Sequence, residues 1–575
     1  MKIFRARTLL ASLVTAVSVV ACGHYQSPPA SPAVPASAAL LAHTQEFRRE
    51  IVKVTTGVYV AVGYAISNAI FIEGNDGVIV VDATSSEESA KEVLSAFRTI
   101  SSKPIKALIY THSHPDHIGG GAVFAPAGSG IPVYAHVDVE KNYSAFATEL
   151  APILSQRAQQ MYGTHLLDRD RPNIGIGPRV DMGPEKHFAL AAPTKTFEDS
   201  LSVEISGVKL ELVHAPGETD DQIFVWLPAQ KVLLPGDNLY RAFPNLYSIR
   251  GTTYRDPQKW ASSLDKMREL APAFLVPSHT RPIIGADLVK HVLTDYRDAI
   301  RYVYEQSIRM MNQGLTPDEM AHRITLPPHL ASSPWLQEFY GKASWSARSI
   351  FAGQLGWFDG NPTHLDPLEP TDEAQHMVAL AGGEAAINQA VRSALLQHEY
   401  QWALQLSEYA LRQNPKNTEA KSGHIEALEA RARAESNPNA RYYYLSEVMN
   451  LRGGMVLSTH TAAPRPETTA SIPLSAVFDG LAGHLDAVAA ADIEKTVVFI
   501  FSDVPEIWSV TLRRGVTEIK RGDHDHADIR IRVSSQVFKE VLAGIRAPVL
   551  SIAKDFEFEK GSRIDFGRFM SVFKP

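Results

Sequence analysis

Three histidines and one aspartate lie within six residues of the chain, at His112, His114, Asp116 and His117. The apolar run before them predicts a strand, and two glycines after them let the backbone turn sharply. His112 and His114 alternate along an extended segment and can therefore point the same way. Asp116 and His117 come after the turn begins and can point towards a second ion. Imidazole nitrogen combined with carboxylate oxygen suits Zn²⁺ or a similar ion, so the cluster indicates a metal site.

Three further residues of ligand type stand where other apolar runs end: Glu218, Asp237 and His279. Taken singly, such a residue is more often a helix cap or a turn residue than a ligand. Together with the first cluster, their order along the chain favours metal ligation. By contrast, we expect His136 and His214 to be packing or hydrogen-bonding residues, and His524 and His526 to lie in a solvated turn.

The spacing of apolar side chains predicts the elements that position these residues. Between residues 51 and 284, short β-branched runs alternate with helical stretches, one of them at 87–99, which fits an αββα sandwich of the α/β class. Residues 286–454 are helical in pattern, most clearly over 385–414. Beyond a linker rich in Pro, Thr and Ala, the pattern predicts a small α+β domain. Its predicted elements are strands at 496–502, 508–512 and 529–533 and helices at 478–491 and 536–543.

The N-terminus has the pattern of an export signal. Lys2, Arg5 and Arg7 precede a short apolar stretch over residues 8–20, and Cys22 follows small residues. The stretch is too short to span a bilayer comfortably, so we interpret it as a signal peptide. Small residues before a cysteine are similar to the bacterial lipobox, in which the thiol is acylated, and an ordinary cleaved signal is the alternative. The Pro-, Ser- and Ala-rich segment that follows predicts a flexible tether.

Length and composition narrow the class of protein. The chain of 575 residues is long enough for three or four domains. A formal net charge of −7 and the lack of a long basic run argue against nucleic acid as a partner. The single cysteine excludes an intramolecular disulfide framework and a Cys-rich zinc knuckle.

The segment from His112 to Gly120 resembles the H-x-H-x-D-H signature of the metallo-β-lactamase superfamily. The alkylsulfatase branch is similar in having Glu after Pro-Gly and a second carboxylate nineteen residues later, which is the spacing of Glu218 and Asp237. The chain departs from that branch at Asp237, where Glu is expected, and at Arg241 and Pro244, where histidines are expected. These departures concern the leaving-group pocket more than the metal site. Further stretches that look like motifs of the branch lie at 156–163, 245–251, 255–257, 355–362 and 451–454.

The resemblance implies a dinuclear zinc hydrolase. In the implied arrangement His112, His114 and Glu218 hold one Zn²⁺ ion, Asp116, His117 and His279 hold the other, and Asp237 bridges them. Two such ions lower the pKa of a shared water to about 7, which makes hydroxide available at neutral pH. Arg250, Asn245 and Tyr162 are the candidates for binding the sulfate, and together with Asp116 they form the predicted catalytic set. Without the motif, Arg250 is as readily a surface ion pair, Tyr162 a core residue and Asn245 a turn residue.

The resemblance also implies the order of the domains and the partners. We expect a homodimer in the bacterial periplasm or outer membrane, attached to the membrane only through a lipid anchor. The predicted boundaries are a lipoprotein-type signal peptide at 1–21, a tether at 22–45, a metallo-β-lactamase-fold catalytic domain at 46–285, an all-α dimerisation domain at 286–457, a linker at 458–471 and an α+β sterol-carrier-like domain at 472–575.

The predicted activity is hydrolysis of alkyl sulfate esters, which are amphiphilic small molecules, to alcohol and sulfate. Two alternatives stay open: hydrolysis of another ester, lactone or phosphoester, because fold does not fix substrate, and a non-enzymatic lipid-binding lipoprotein. The residues do not separate primary, secondary and aryl esters, or attack at sulfur from attack at carbon. An apolar groove in the C-terminal domain could hold the alkyl tail, although the apolar residues there are at least as readily its own core: Phe478, Leu481, Phe499, Phe501 and Trp508.

Overall fold

The computed structural model describes residues 33–147, 150–180, 185–454, 469 and 472–573. The predicted signal peptide, Cys22 and all but one residue of the predicted linker 458–471 lie outside the described residues. Within the described part of the chain, no helix is both long and apolar enough to cross a membrane.

Residues 50–284 form two β-sheets. The first sheet has seven strands in chain order, antiparallel up to the fourth strand and parallel from there on. The second has six strands in the order β13-β12-β11-β10-β9-β8. The strands of the first sheet are β1 Glu50–Thr55, β2 Val58–Val62, β3 Ala69–Glu73, β4 Val78–Val81, β5 Ile105–Ile109, β6 Val133–His136 and β7 Lys195–Phe197. Those of the second are β8 Ser200–Ile205, β9 Val208–His214, β10 Ile223–Leu227, β11 Val232–Leu234, β12 Phe274–Leu275 and β13 Ile283–Ile284.

The two sheets pack face to face, and helices cover their outer faces. Side chains alternate between the faces of a strand, so Ile79 of the first sheet and Val225 of the second lie in one apolar layer between the sheets. Helix Glu87–Arg98 packs on the outside of the first sheet. Helix Pro257–Glu269 packs on the outside of the second. The predicted αββα sandwich is confirmed.

Helix Ala286–Asn312, which the predicted boundary at residue 285 assigns to the helical domain, packs on this sandwich and also on helix Ala343–Leu355. Its fully buried residues Val289, Val292 and Tyr296 share a core with Leu233 of the second sheet. A helical pattern shows that one face of a helix is buried, but it does not show which neighbour buries it.

The chain from 317 to 451 is all helical apart from its turns. The stretch 385–414, the clearest part of the predicted helical pattern, contains two helices, and the chain reverses between them at 397–399, where His398 has a φ of +60°. The apolar spacing continues through the break, since both helices bury their apolar faces in one cluster with Ala403 and Leu404. The helices of this region are Pro317–Arg323, Pro328–Ala331, Ala343–Leu355, Pro370–Leu380, Glu384–Leu396, Tyr400–Gln413, Thr418–Ala434 and Pro438–Leu451.

The C-terminal region is an α+β domain with one five-stranded sheet in the order β16-β15-β14-β17-β18. Its first helix runs from Leu474 to Ala482 and ends earlier than the predicted residue 491. The following residues pair with the end of the chain instead, since the Asp486 amide donates to the Val572 carbonyl. The strands are β14 Glu494–Phe501, β15 Ile507–Arg513, β16 Val516–Arg521, β17 Ile529–Val533 and β18 Glu557–Lys560, and the remaining helices are Ser535–Leu542, Pro548–Lys554 and Arg563–Met570.

The tether predicted over 22–45 is wrong for its described part, because residues 34–47 pack against the body of the protein. Helix Ala38–His43 buries Leu40 completely. The buried guanidinium of Arg441 donates to the carbonyls of Val34 and Pro35, at 2.5 and 3.1 Å. The partners of this segment are distant in sequence, and the segment itself has little apolar periodicity. Its sequence pattern therefore does not indicate these contacts.

His43, the last residue of helix Ala38–His43, is buried against the body of the protein. Its titration makes the free energy of unfolding depend on pH. Its Nε2 lies 2.7 Å from the Gly175 carbonyl oxygen, and its ring stacks on Phe339 with the centroids 4.0 Å apart. Burial lowers the pKa of His43 from 6.5 to about 4. Between these two pH values the unfolded chain binds the proton and the folded protein does not. The free energy of unfolding therefore falls as pH drops from about 6.5 to about 4, by about 3 kcal/mol for this group.

We expect His43→Gln to flatten the dependence of the unfolding free energy on pH in this window, because glutamine can donate to Gly175 and does not titrate. Chemical denaturation at a series of pH values measures this. His329→Gln, at an exposed histidine, is the matched control and should leave the slope unchanged. An unaltered slope in His43→Gln would refute the assignment.

Candidate metal centre

The first histidine cluster lies at the end of strand β5, at the edge of the first sheet. His112 and His117 are fully buried, and His112 Nε2 lies 2.9 Å from His114 Nδ1. The short helix Pro115–Ile118 begins directly after His114 and turns Asp116 and His117 back towards the strand end. His117 Nε2 lies 3.4 Å from Asp116 Oδ2.

The tertiary structure brings the three distant residues to this cluster. Asp237 follows β11, and its Oδ2 lies 3.6 Å from His112 Nε2, 3.4 Å from His117 Nε2 and 3.2 Å from His279 Nε2. The ligand atoms form three groups, each within 4.8 Å, in which Asp237 occurs twice. All seven residues proposed from the sequence take part. The groups are His112 with His117 and Asp237, Asp116 with His117 and His279, and His114 with Glu218 and Asp237.

The donor set fits divalent cations. His117 Nε2, His279 Nε2 and Asp237 Oδ1 are buried and have no hydrogen-bond partner among the described residues. A buried polar atom normally has a partner, so three buried atoms of this cluster without one indicate a missing ligand. Burial lowers the pKa of His117, but the carboxylates around it, Asp237 foremost, outweigh this and hold it well above its ordinary value. The carboxylates thus stabilise positive charge at the centre of the cluster. Metal ions can supply this charge while the imidazoles stay unprotonated.

Contacts behind the ligands fix the orientation of two imidazole rings. Asp82 Oδ2 accepts from His117 Nδ1 at 2.8 Å, which leaves Nε2 facing the centre. Asp82 itself accepts from the Thr111 amide and the Ser278 hydroxyl. It has a φ of +60°, a strained conformation for a residue with a side chain. Nδ1 of His279 faces the Ile66 carbonyl oxygen at 2.8 Å, so its Nε2 is also directed inwards.

Sequence reasoning did not identify Asp82 as part of the site. The only signal was its position, an acid directly after the buried strand β4. Sequence reasoning also missed Arg255 and Tyr240, which both contact Glu218. Arg255 NH1 lies 2.9 Å from Glu218 Oε1, and the Tyr240 hydroxyl lies 3.1 Å from Oε2. Arg255 lies in the motif stretch 255–257, which by itself indicates no role for it.

The three candidates for sulfate binding are buried close to this centre. The charge of Arg250 adds to burial in lowering the pKa of His114, which places the guanidinium near that ligand. Asn245 is buried, and its Nδ2 has no partner among the described residues. The Tyr162 hydroxyl lies 3.0 Å from the Tyr340 hydroxyl, so the helical region contributes a residue beside the candidates for sulfate binding.

The remaining predicted residues lie away from the centre. His136 and His214 stack on each other with their centroids 4.2 Å apart, which agrees with a packing role. His524 and His526 lie in an exposed turn beside the ion pair of Asp523 with Arg530. Arg241, where the branch pattern has histidine, forms an ion pair with Glu46 and lies over Trp335.

Three family models match the chain in succession. Residues 62–279 match the metallo-beta-lactamase superfamily, residues 316–454 match alkyl sulfatase dimerisation, and residues 462–575 match the alkyl sulfatase C-terminal region. The second model begins after helix Ala286–Asn312, in agreement with the packing of that helix on the sandwich.

Whole-length comparisons identify the family. A linear primary-alkylsulfatase from Pseudomonas sp. (strain ATCC 19151) is 35% identical over 518 residues, which are 87% of this chain and 98% of that protein. The chain belongs to the alkylsulfatase family. An (R)-specific secondary-alkylsulfatase from Pseudomonas sp. is 29% identical over 84% of this chain and 75% of its own.

A solved structure of the family has the same fold. The stereoselective inverting sec-alkylsulfatase Pisa1 from Pseudomonas sp. superposes with a TM-score of 0.86 at 26% identity, covering 94% of this chain and 88% of its own. The helical and C-terminal domains therefore occur together with the sandwich in this family, and the alkylsulfatase resemblance read from the sequence is confirmed.

Proposed function

We propose that the protein hydrolyses sulfate esters of alkyl chains to alcohol and sulfate at a centre of two divalent ions, both zinc. The observation that carries the proposal is the convergence of seven ligand-type side chains, Asp237 among them, in a chain of the alkylsulfatase family. When bound, two such ions would lower the pKa of a shared water to about 7 and supply hydroxide at neutral pH.

The residues of the chain have separate roles in this proposal. His112, His114 and Glu218 would hold one ion, Asp116, His117 and His279 the other, and Asp237 would lie between them. Mixed imidazole and carboxylate ligands favour zinc over magnesium or calcium. Arg250 and Asn245 Nδ2, which has no partner among the described residues, supply donors for the sulfate oxygens, and a buried guanidinium can donate to two of them at once.

A release assay separates this activity from the alternative hydrolases. We expect the purified protein to release sulfate from dodecyl sulfate with a kcat/KM at least tenfold above that for an aryl sulfate, an alkyl phosphate or a lactone. For the aryl sulfate and the lactone the expectation follows from the alkyl chain, since each buried methylene contributes about 0.8 kcal/mol. The alkyl phosphate has the same chain, so the expected preference for sulfate over phosphate rests on the match to alkylsulfatases. Turnover of the phosphate or lactone above the alkyl sulfate would contradict the proposal.

We also propose that the mature chain begins at Cys22 and is anchored by acylation at the bacterial periplasmic or outer membrane. The support is the charged start, the short apolar stretch and the small residues before Cys22. Cys22→Ser should move the protein from the membrane fraction to the soluble exported fraction with unchanged specific activity. Mass spectrometry of an N-terminus without acyl groups would count against the anchor.

A homodimer is supported by the match of residues 316–454 to alkyl sulfatase dimerisation. The same region exposes apolar side chains that a second copy could cover, among them Trp357, Leu365 and Leu380, exposed by 73%, 50% and 81%. Sedimentation as a dimer is the expected result, and a monomer at micromolar concentration would contradict it.

A further inference from the structure

Glu218 differs from the other carboxylates of the metal centre in its contacts. Both of its oxygens already have a partner: Arg255 NH1 donates to Oε1 at 2.9 Å, and the Tyr240 hydroxyl contacts Oε2 at 3.1 Å. Asp237, by contrast, keeps Oδ1 without a hydrogen-bond partner among the described residues. The chain therefore holds Glu218 in place by contacts that do not depend on an ion.

The directions of these hydrogen bonds are fixed by the backbone of Asn245. The Asn245 amide donates to the Tyr240 hydroxyl oxygen at 2.9 Å, so the hydroxyl proton is free to point towards Glu218. The Asn245 carbonyl accepts from Arg255 NH1 at 2.6 Å. One residue thus orients both donors to Glu218.

The loop that carries Asn245 is itself clamped by the chain beyond it. The Phe243 amide donates to the Gln337 carbonyl, and the Gly341 amide donates to the Phe243 carbonyl. A Cβ at Gly341 would lie 2.1 Å from the Pro244 carbonyl oxygen, so only glycine permits this close approach.

Burial makes the ion pair of Arg255 and Glu218 important for the charge balance of the centre. Their side chains are each only 3% exposed. Glu218 is one of four carboxylates at the centre, with Asp82, Asp116 and Asp237, and a buried carboxylate without compensation is costly. Arg255 cancels the charge of one of the four through a direct hydrogen bond.

We propose that Arg255 is a positioning residue that fixes the Glu218 carboxylate and neutralises it, so that the two residues act together as one uncharged metal-ligating unit. This inference rests on the metal centre of the proposed function. Arg255 does not contact the substrate in this scheme and acts only through Glu218. Loss of Arg255 leaves Glu218 buried with an unbalanced charge and with one oxygen free to rotate away.

The first test measures metal binding without any substrate. We expect Arg255→Met to weaken the affinity for the more weakly held zinc ion by about 10- to 100-fold, the usual cost of losing a contact behind a ligand. Chelator competition and zinc per chain by mass spectrometry measure this. Arg255→Lys keeps the charge and one donor and should lie between wild type and Arg255→Met. Arg241→Met is the matched control, because Arg241 lies in the same loop but pairs with Glu46, and it should keep wild-type affinity.

A double-mutant cycle tests the charge balance. Histidine is a neutral ligand, so Glu218→His alone leaves Arg255 as an unpaired buried cation beside the ions and should lose zinc. The double mutant Glu218→His with Arg255→Met should bind zinc at least tenfold more tightly than Glu218→His alone, because both charges of the pair are then removed together.

Thermal unfolding of each variant with and without zinc shows whether the fold is intact. If Arg255→Met fails to fold, Arg255→Lys and the double mutant carry the test. Zinc affinity unchanged in Arg255→Met, or a double mutant that loses the sum of both single losses, would overturn the inference. A protein that binds zinc as expected but cleaves no alkyl sulfate would overturn the proposed function and leave this inference standing.

Discussion

Asp237→Ala is expected to remove both metal ions and to lower kcat/KM for dodecyl sulfate by about a thousandfold or more. Asp237 belongs to two of the three ligand groups, and its Oδ2 lies within 3.6 Å of three imidazole nitrogens. Metal ions supply several kcal/mol of transition-state stabilisation, and each 1.4 kcal/mol is about tenfold in rate. Zinc per chain and steady-state kinetics are the measurements.

The ligand groups also predict a graded result. Asp116 and His279 occur in one group only. Asp116→Ala or His279→Ala should therefore weaken the binding of one ion more than that of the other, while still abolishing turnover. His214→Ala is the control, since that histidine stacks on His136 outside the centre and should keep both ions. The assignment fails if the wild-type protein binds no zinc, or if Asp116→Ala and His279→Ala both stay fully active with their folds intact.

Removal of the C-terminal domain after residue 471 is expected to raise KM for dodecyl sulfate by about a hundredfold or more and to leave KM for a short alkyl sulfate within about threefold. If the domain covers half of the dodecyl chain, the lost burial is about 5 kcal/mol, which outweighs contacts to the small sulfate group. The helix Leu474–Ala482 lies beside helix Val139–Ala147 of the catalytic domain. Asn142 of the latter donates to Asp221, which also accepts from Ser113, between two ligand histidines.

The structure limits which residues of that domain can bind a tail. Phe478, Phe499 and Trp508 are packed together inside it, so they form the core of the domain, as the sequence also allowed. Val549 and Ile564, exposed by 85% and 71%, are apolar and outside that core. Val549→Ser with Ile564→Ser should therefore reproduce part of the KM effect without unfolding the domain. An equal loss on long and short chains after deletion would show that the domain supports the fold or the dimer instead.

The sequence by itself determined seven candidate metal-ligating residues and the sandwich that carries them. A strand that ends in His-x-His and a turn that carries Asp-His are local features, and their geometry follows from backbone periodicity within a few residues. Glu218, Asp237 and His279 were found because each also ends an apolar run, and runs of this kind are the strands of a buried sheet. The existence and the approximate extent of these strands could be predicted without tertiary information.

The tertiary structure alone decided what surrounds and supports the ligands. Asp82 behind His117, and Arg255 and Tyr240 at Glu218, are polar residues whose partners are 22 to 37 positions away, so no local pattern marks them. For the same reason no local pattern marked the docking of residues 34–47 or the packing of helix Ala286–Asn312 on the sandwich. Local periodicity reports that a face is buried, whereas the identity of its neighbour is set by the packing of the whole chain.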